Sequence, residues 1–470
     1  MTKSPDFPHL DLGAAEPLYR QIYVRFRHAI AQGLLLPGAR IPSARALALE
    51  LGLARGTVDA AYSLLSAEGY VEAHAQAGTR VASALARHVP VAPAARPAGH
   101  ALSPPDSPSP FKRPFQMGVP ALDAFPRKIW AALGARVIRA TLAEDMAYPP
   151  YCGAQALRIA IATYLRLARG IDCAPAQVFI TSGYRNSLEL VARALLRPGD
   201  GVWVEDPGYP PTGALLEQAG MKPIPVAVDG EGLRVAQGMA AAPGARAAIV
   251  TPAHQSPLCV SLSLARRLAL LDWAAQARAW IVEDDYDGEF RHVGRPLPAL
   301  QSLDREGRVL YAGTFSKVLF PAIRLAYLVV PEAQVSRFEQ VCETFSSGGP
   351  MLMQAMVAGF MNEGHFARHI QRMRGLYGER RRMVATELEQ VLGGHLHIEP
   401  QPGGMHMVLR MTGRSDRALA ARMRRDGMAA HALSERSVLP QTASALLLGF
   451  TNIDTPAMAR ALGQRILRLL

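Results

Sequence analysis

Seven apolar runs between residues 178 and 330 limit the fold of this chain more than any other feature. The runs are VFITSG, GVWVEDPG, KPIPVAV, AAIVTP, AWIVEDDYD, VLYAGTF and RLAYLVV, at 178–183, 201–208, 222–228, 247–252, 279–287, 309–315 and 324–330. Each is nearly continuous in apolar residues, and most are separated by segments of helical length. The pattern predicts a buried, mostly parallel sheet with helices on both faces, the α/β class. Polar residues follow most runs, so we expect a ligand site at the carboxyl ends of the strands.

The regions on either side of these runs differ in composition. Residues 14–81 have helical patterns, whereas residues 82–114 are rich in Pro, Ala and Ser without apolar periodicity, which is typical of a flexible linker. After about residue 345, long helical patterns and the short runs HLHIEP, GGMHMVLRM and ALLLGFT predict a smaller α+β part. The predicted organisation is a first domain at 1–81, a linker at 82–114, and a second domain at 115–470 with a large part at about 145–340 and a small part at about 341–470.

Charge favours an acidic partner without locating it. The chain has 51 Lys and Arg against 39 Asp and Glu, a formal net charge of +12. Residues 1–81 nevertheless hold eight basic and seven acidic side chains, so a nucleic-acid contact has to be argued from local geometry. No stretch approaches the roughly 18 uninterrupted apolar residues of a membrane helix, and MTKSPDFPHLDLG lacks the apolar core of a secretion signal. A cytoplasmic protein is expected.

The cysteines give no sign of a disulfide framework or a zinc site. Cys152, Cys173, Cys259 and Cys342 lie far apart and form no CxxC pair. We therefore expect buried free thiols in a reducing compartment and no bound metal.

The segment PSARALALELGLARGTVDAAYSLLSAEGYVE predicts two short helices joined by a tight turn. Ser43 can cap the first helix, and Gly52 lies where the turn needs a positive φ. The second helix is predicted from about residue 56 to residue 67. One face of it points inward, with Val58, Tyr62 and Leu65.

The start of this second helix carries the residue types of a DNA-recognition helix. Its free N–H groups can bind a phosphate near Gly56 and Thr57, and Arg55 can reach guanine O6 and N7 in the major groove. Arg45 begins the preceding helix, where a phosphate contact is natural. A three-helix scaffold with solvated arginines is the alternative interpretation of the same pattern.

A two-stranded wing is predicted after the helices, because Gly78, Thr79 and Arg80 follow Tyr70-Val71-Glu72 as the turn of such a wing would. From PLYRQ to GTRV this part resembles the GntR-type winged-helix domain. The shared elements, in order, are a first helix, the pattern G-x-L-x-P-G-x-x-I-P-S-x-R, the R-x-T recognition helix and the G-T wing. The resemblance implies that DNA is approached by Ser43, Arg45, Arg55, Thr57, Gly78 and Thr79.

The second domain offers the groups that pyridoxal 5'-phosphate (PLP) requires of a protein. GTFSK places Lys317 at a strand end, where a partly desolvated amine can form a Schiff base. In EDDYD, Asp284 can face a protonated pyridine nitrogen, and Tyr286 can donate to the ring O3′. A metal ion or a helix cap is the alternative partner of this acidic cluster.

A phosphate cup and a ring pocket complete the prediction. Backbone N–H groups at a helix start form an anion site in TSGYRNSLELVARALL. The residues assigned to the phosphate are Ser182, Gly183, Tyr184, Thr314, Ser316 and Arg324. Those assigned to the ring or its O3′ are Tyr209, which can stack on it, with His254 and Gln255.

These motifs resemble PLP-dependent enzymes of fold type I, the aspartate aminotransferase fold, and the whole chain resembles the MocR subfamily of GntR regulators. EDDYDGEFR, GRPLPALQ, GTFSKVLFP, AIRLAYLVVP, PGGMH and LLLGFTN occur in the family's order. The resemblance implies a homodimer in which Lys317 is the Schiff-base lysine, Asp284 the pyridine partner, Tyr286 the O3′ donor and Arg324 a phosphate ligand.

The chain departs from the family pattern at the edge of the expected pocket. The family usually reads TSGAQQ at 181–186, where this chain has Tyr184-Arg185-Asn186, and a Thr-Gly pair at Leu258-Cys259. Members that respond to amino acids tend to carry an arginine near ALSERSVLP, which makes Arg436 the candidate for an effector carboxylate. A pocket without that arginine would suit PLP itself as the signal.

Two functions fit these observations. In the first, a PLP-dependent transcriptional regulator senses PLP, an amino compound or both, and changes how a dimer presents two winged helices to paired half-sites. In the second, the chain is an aminotransferase with an accessory DNA-binding domain. Arg55 at the tip of a recognition helix favours the regulator, because a metabolic enzyme has no need of it. A transamination half-reaction is compatible with both.

Overall fold

The computed structural model describes residues 16–74, 78–87, 113–291, 294, 298–346, 348–399, 401–440 and 443–470. The chain divides into two compact units, residues 1–106 and 107–470, which are described separately below. The domain limits at residues 81, 114 and 340 remain predictions. Within the described residues, no helix combines the length and the apolar character needed to cross a membrane.

The first unit is a three-helix bundle followed by a β-hairpin. Its elements are α1 (Leu18–Ala31), α2 (Ala44–Leu51), α3 (Arg55–Ala67), β1 (Val71–His74) and β2 (Gly78–Val81). The strands pair antiparallel with Val71 opposite Val81. One apolar core joins the helices to the hairpin through buried side chains that include Ile22, Phe26, Val58, Leu65 and Val81.

Local signals of the first unit act as predicted, with one difference in the hairpin. The Ser43 hydroxyl accepts a hydrogen bond from the N–H of Ala46 at 3.2 Å, and Gly52 ends α2 with a φ of +67°. Gly78, Thr79 and Arg80, expected in the turn of the wing, lie in strand β2 instead. The glycine begins the strand because its φ of +76° leads the chain out of the turn. Residues 75–77 lie outside the described residues.

The second unit contains two sheets and twelve α-helices within its described residues. The strands are β3 (Val178–Thr181), β4 (Gly201–Asp206), β5 (Lys222–Asp229), β6 (Gly232–Leu233), β7 (Ala247–Val250), β8 (Trp280–Asp285), β9 (Val309–Thr314), β10 (Ala326–Val329), β11 (Leu396–Ile398), β12 (His406–Met411), β13 (His431–Ala432) and β14 (Ser444–Gly449). The helices are α4 (Arg127–Ala140), α5 (Gln155–Arg169), α6 (Tyr184–Leu195), α7 (Pro210–Gln218), α8 (Val235–Ala241), α9 (Leu264–Ala277), α10 (Phe315–Val318), α11 (Val335–Phe345), α12 (Met351–Asn362), α13 (His365–Leu392), α14 (Asp416–Arg425) and α15 (Pro456–Leu469).

The larger sheet has eight strands in the order β3-β10-β9-β8-β7-β4-β5-β6. Strands β9, β8, β7, β4 and β5 are mutually parallel, and β10 runs antiparallel to both of its neighbours. Each of the seven apolar runs contains one strand, which confirms the predicted α/β class. The smaller sheet, β11-β12-β14-β13, is wholly antiparallel. The two-residue strands β6 and β13 were not predicted, because they are too short to carry a pattern.

Helices cover both faces of the larger sheet. Along β7, Ile249 packs in an apolar cluster with residues of α6 and α11, whereas its neighbour Ala248 packs in a different cluster with residues of α8 and α9. Alternate residues of a strand point to opposite faces, so both faces of the sheet are buried. This burial is the reason that the strands are almost continuously apolar.

A buried ion cluster joins α5 to the segment that follows β8. The Arg169 Nη2 lies 2.8 Å from Asp285 Oδ2 and 3.3 Å from Glu289 Oε1, and all three side chains are almost fully buried. The Tyr311 hydroxyl donates to Asp285 Oδ2 at 2.6 Å, and Tyr164 donates to Glu289 Oε1 at 3.3 Å. The guanidinium therefore compensates two carboxylates that have no access to water.

Arg169→Ala is expected to destabilise the second unit by about 3–5 kcal/mol, because it leaves two buried carboxylates without their cation. All four tryptophans lie beyond residue 107, so urea unfolding followed by tryptophan fluorescence reports on this unit. The exposed Arg166→Ala in the same helix serves as the control and should shift the free energy of unfolding by no more than about 0.5 kcal/mol. Equal effects of the two substitutions would contradict the assignment.

Candidate functional site

The register of strand β10 gathers three polar segments at one edge of the larger sheet. Ala326 lies opposite Thr181 of β3 on one side and opposite Thr314 of β9 on the other. The segment 182–184 follows β3, the segment 315–317 follows β9, and Arg324 precedes β10 by two residues. The predicted phosphate ligands therefore come from three places in the sequence and reach the same edge.

The start of α6 and Arg324 form the positive part of this edge. A Cβ atom built on Gly183 would lie 3.5 Å from the Arg324 Nη2, so the guanidinium packs directly on the glycine. Arg324 is exposed, and Ser182 is exposed beside it. The Thr314 hydroxyl accepts from the Ser316 N–H at 3.1 Å. Free N–H groups at a helix start together with an arginine are suited to a phosphate.

Lys317 is held by a segment that precedes α4. Its Nζ donates to the Gly118 carbonyl at 2.8 Å, and a Cβ on Gly118 would lie 2.6 Å from that nitrogen. Burial lowers the pKa of Lys317, while Asp287 and Asp284 oppose the shift. Sequence reasoning missed Gly118, because its partner is distant in sequence and no local pattern links them.

The same segment is tied to the smaller sheet. The Gly449 N–H donates to the Phe115 carbonyl at 3.0 Å, and the Thr451 hydroxyl donates to the Val119 carbonyl at 2.5 Å. Residues 115–119 thus connect the smaller sheet to Lys317 at the edge of the larger sheet.

Asp284, the next-to-last residue of β8, has a carboxylate that lacks a hydrogen-bond partner. No described residue forms a hydrogen bond with this carboxylate. Burial raises the pKa of Asp284 well above its ordinary value, and the neighbouring Asp285, Glu205 and Asp287 raise it further. A cation placed against it would hold the carboxylate ionised.

His254 and Tyr286 meet beside Asp284. The His254 Nδ1 lies 3.1 Å from the Tyr286 hydroxyl and 3.0 Å from Asp287 Oδ1. Burial alone would lower the pKa of His254, but Asp287 and Cys259 raise it well above its usual value. The other ring nitrogen, Nε2, is buried and has no hydrogen-bond partner in the described part of the chain.

Both the nitrogen and the oxygen of the Gln255 side-chain amide form hydrogen bonds within the protein. Its amide nitrogen donates to Glu205 Oε2 at 3.2 Å and to the Pro207 and Ser256 carbonyls at 2.9 Å, while its oxygen accepts from Leu258 N–H at 2.9 Å. These bonds leave its amide no free hydrogen for a ring. Gln255 therefore positions the loop after β7.

A cavity of about 280 Å³ opens between the ends of β4, β7 and β8. Of the predicted site residues, those lining it are Tyr184, Tyr209, Asp284 and Arg436. The Tyr184 and Tyr209 rings meet edge to face at 5.9 Å, and the Tyr184 hydroxyl pairs with Thr212 Oγ1 at 2.8 Å. Lys317 and Arg324 are not part of this lining.

Ser256 and Glu205 line the cavity and were also missed. Ser256 forms a side-chain hydrogen bond with Tyr286, which the polar run TPAHQSP could have suggested. Glu205 accepts from the Thr251 hydroxyl at 2.5 Å and from the Thr251 N–H at 3.1 Å. Burial raises the pKa of Glu205 to about 7.

Cys259 occupies a backbone conformation that favours glycine. Its φ is +61°, which accounts for the glycine usual at this place in the resembled family. The Cys259 Sγ lies 3.2 Å from the His406 Nε2. Burial by itself raises the pKa of this thiol, and His406 and His254 lower it to about 6. Among the described residues, no group of three or more His, Cys, Asp or Glu side chains is arranged to hold a metal.

The first unit presents its predicted contact residues on one helix and one strand. Arg55 begins α3 with a side chain that is 70% exposed, and its Nε lies 3.3 Å from Asp59 Oδ2. Arg45 and Gly56 are exposed as well, and Thr57 is half-buried. The exposed guanidinium of Arg55 is free to turn toward a base edge, because a surface pair of this kind is weak.

Arg80 of the wing and Arg40, which faces it in an isolated antiparallel bridge, are two further arginines of the first unit. Arg80 is half-buried and donates to the Gly38 carbonyl at 2.9 Å, so it supports the wing internally. Arg40 was missed: it is exposed, and a Cβ on Gly78 would lie 3.3 Å from its Nε. A basic residue directly before the I-P-S pattern was the available signal.

Glu205→Gln is expected to flatten the pH dependence of stability between pH 4.5 and 7. The folded chain holds a proton on Glu205 to about pH 7, whereas the unfolded chain releases it near 4.5, so stability falls as pH rises through this window. The slope lost should be up to about 1.4 kcal/mol per pH unit. Urea unfolding by tryptophan fluorescence at several pH values measures it. Exposed Glu217→Gln is the control, and parallel curves for Glu205→Gln and the wild type would contradict the argument.

Comparison with known families also divides the chain into two parts. Residues 18–81 match the gntR family of bacterial regulatory proteins, and residues 123–452 match aminotransferase class I and II. The chain is 36% identical over 460 residues to the probable rhizopine catabolism regulatory protein MocR of Rhizobium meliloti, covering 96% of this chain and 93% of that protein. It is 33% identical over 389 residues to the pyridoxine biosynthesis transcriptional regulator PdxR of Corynebacterium glutamicum, covering 83% and 82%.

A solved aminotransferase shares the fold of the second unit. LysN, an α-aminoadipate aminotransferase from Thermus thermophilus complexed with N-(5'-phosphopyridoxyl)-L-leucine, superposes with a TM-score of 0.67 at 26% identity, covering 76% of this chain and 91% of that one. Fold type I and the resemblance drawn from sequence are thereby confirmed. The chain belongs to the MocR subfamily of GntR-type transcriptional regulators, in which a winged helix-turn-helix domain is joined to an aminotransferase-like domain.

Proposed function

We propose that this regulator binds PLP at the carboxyl edge of the larger sheet, and that occupancy of the site changes its affinity for operator DNA. The observation that carries the proposal is the half-buried Asp284 carboxylate, which lines the cavity and has no hydrogen-bond partner among the described residues. When bound, PLP supplies an aldehyde that reacts with primary amines and a ring nitrogen that can carry a positive charge. That charge is the partner that Asp284 lacks.

The surrounding groups support the same assignment. Tyr286 and the unpartnered Nε2 of His254 lie beside Asp284 and can donate to the ring or its O3′. Arg324 and the start of α6 can hold the phosphate, with Thr314 and Ser316 at the adjacent strand end. The desolvated Lys317 amine, whose pKa is lowered by burial, provides the attachment point.

An amino compound with a carboxylate is the effector class that the cavity favours. The Arg436 guanidinium lines the cavity together with Tyr209, and it forms no ion pair with a described residue. Burial lowers the pKa of Arg436, which means that the cation is partly stripped of water. A carboxylate that reaches Arg436 would supply this cation with a partner.

A homodimer on paired half-sites is the DNA-bound form that we infer. Four apolar side chains of α4 and the segment after it are more than half exposed: Ile138, Leu142, Met146 and Tyr148. A contiguous stretch of such residues is typical of a surface that another chain covers. Two DNA-binding units joined by linkers to one dimer gain avidity for two half-sites. The effector acts by binding two arrangements of this dimer with different affinity.

A mobility-shift titration on the upstream intergenic DNA, with and without PLP, tests the function. The wild type should bind with a midpoint that PLP changes. Lys317→Ala should bind DNA with a midpoint that PLP leaves unchanged, and Arg55→Ala should weaken binding about 10-fold or more, since a bidentate arginine contributes about 1–3 kcal/mol.

Two matched variants serve as controls in that titration. Arg20→Ala, in α1, removes an exposed ion pair with the preceding Glu16 that has the same spacing as the Arg55–Asp59 pair, and this variant should bind DNA as the wild type does. Lys222→Ala removes an exposed lysine at the opposite edge of the sheet and should keep the PLP effect. Loss of the PLP effect in Lys222→Ala, or its persistence in Lys317→Ala, would overturn the proposal.

Gly118→Ala is expected to reduce labelling of Lys317 by PLP and borohydride several-fold, because the new Cβ would lie 2.6 Å from the amine. Peptide mass mapping after reduction quantifies the label. Gly199→Ala is the control: its φ of +92° carries a comparable backbone penalty, but nothing lies within 4 Å of the added methyl group. Equal labelling of Gly118→Ala and the wild type would show that the Gly118 contact does not position the amine.

A further inference from the structure

Residues 434–439 form a strap that connects the region of the smaller sheet to the end of β4 in the larger sheet. The strap follows β13 and carries Arg436, which lines the cavity together with Ser437 and Val438. Hydrogen bonds hold the strap at both ends, and Arg436 lies between these two anchors. The cavity is therefore bordered by a segment that continues from one sheet and is attached to the other.

The first anchor is the buried Asp416 at the start of α14. Its Oδ2 accepts from the Ser434 N–H at 3.0 Å, and its Oδ1 accepts from the Ser434 hydroxyl at 2.7 Å. The neighbouring Arg417 Nη2 donates to the Ser434 carbonyl at 2.6 Å. The beginning of the strap is thus fixed to α14 through both its backbone and its side chain.

The second anchor is the buried Asp206, the last residue of β4. Its Oδ2 accepts from the Val438 N–H at 2.6 Å and from the Leu439 N–H at 3.2 Å. Its Oδ1 accepts from the Ser437 hydroxyl. Hydrogen bonds to an ionised acceptor are stronger than neutral ones, so this carboxylate fixes the backbone directly after Arg436.

These contacts hold the backbone of Arg436 and leave its guanidinium unpaired. The Gly208 N–H donates to the Arg436 carbonyl at 3.0 Å. Asp206 binds the strap through its backbone and Ser437, and it forms no ion pair with Arg436. The adjacent Glu435 is paired with Arg424, at 2.9 Å between Oε1 and Nη2. The guanidinium of Arg436 is therefore held in place at the cavity while it remains available to a ligand.

We propose that Asp206 is a positioning residue for Arg436, because it holds the strap against β4 so that the guanidinium meets the carboxylate of a bound amino compound. A segment that is ordered before the ligand arrives lowers the entropic cost of binding. The inference rests on the proposed function, since it takes PLP as the group in the cavity and Arg436 as the carboxylate site. It adds that a residue at the end of β4 determines how strongly the cavity prefers a carboxylate.

Two stable PLP adducts that differ by one carboxylate test this assignment. They are N-(5'-phosphopyridoxyl)-L-leucine and N-(5'-phosphopyridoxyl)-isopentylamine, which is the same compound without the carboxylate. Calorimetric titration of the full chain, freed of PLP with hydroxylamine and dialysed, gives a Kd for each adduct. The wild type should bind the leucine adduct about 10-fold or more tightly than the amine adduct, because hydrogen bonds between charged groups add to its affinity.

Asp206→Ala should lower this preference several-fold, while the Kd of the amine adduct stays as in the wild type. Asp206→Asn can still accept the two N–H groups and should restore most of the preference. A purely structural role of Asp206 would weaken both adducts together. Direct repulsion between Asp206 and the ligand carboxylate would have the opposite sign, with a stronger preference in Asp206→Ala. In an Arg436→Ala background, Asp206→Ala should leave the preference unchanged, since the guanidinium that it positions is absent.

Two further variants complete the experiment. Asp229→Ala is the matched control: Asp229 also ends a strand of the larger sheet, pairs with Arg266 at 3.0 Å and does not line the cavity, so the wild-type preference should persist. Ser437→Ala removes one hydrogen bond to Asp206 and should lower the preference in the same direction. It decides the matter if Asp206→Ala does not fold.

The outcomes separate this inference from the function on which it rests. An unchanged or stronger preference in Asp206→Ala, with both adducts still bound, would overturn the role of Asp206 alone. Equal affinity of the wild type for the two adducts would remove Arg436 as the carboxylate site, and the positioning role with it. Failure of the wild type to bind either adduct would overturn the proposed PLP site itself.

Discussion

The insertion of one antiparallel strand between two parallel ones is the constraint on which the site depends. Because β10 places Ala326 opposite both Thr181 and Thr314, the ends of β3 and β9 reach the same level of the sheet. The arginine that precedes β10 then arrives between them. A slip of one residue in this register would turn each alternating side chain to the other face and separate the positive groups.

A cation contacts the buried carboxylates in the interior of the second unit, whereas no described cation forms an ion pair with Asp284 at the edge of the sheet. In the interior, the Arg169 guanidinium and two tyrosine hydroxyls contact the carboxylates of Asp285 and Glu289. At the edge, Asp284 lacks a partner and His254 keeps an unpaired buried nitrogen. Perturbed groups without partners are typical of functional sites, which supports the edge of the sheet as the proposed binding site.

Sequence patterns predicted what depends on neighbours in the chain. The seven apolar runs, the Ser43 cap and the Gly52 turn all follow from local periodicity or backbone preference. The contacts that escaped prediction join segments far apart in sequence. Gly118 meets Lys317 and Arg40 meets Gly78, and in neither pair does one residue signal the other. The prediction that Gly78 to Arg80 form the turn of the wing was wrong for a related reason, because pairing across the hairpin places them in strand β2.

The hydrogen bond from the Lys317 amine to the Gly118 carbonyl helps to hold the segment of residues 115–119 in place. The residues from 115 to 119 lead into the second unit, and they are fastened at one end to the smaller sheet and at Gly118 to the lysine. A Lys317 amine that is bonded covalently to PLP cannot donate to the Gly118 carbonyl in the same way. Occupation of the lysine would therefore release Gly118, and residues 115–119 would stay attached only through their contacts with the smaller sheet and the loop after it.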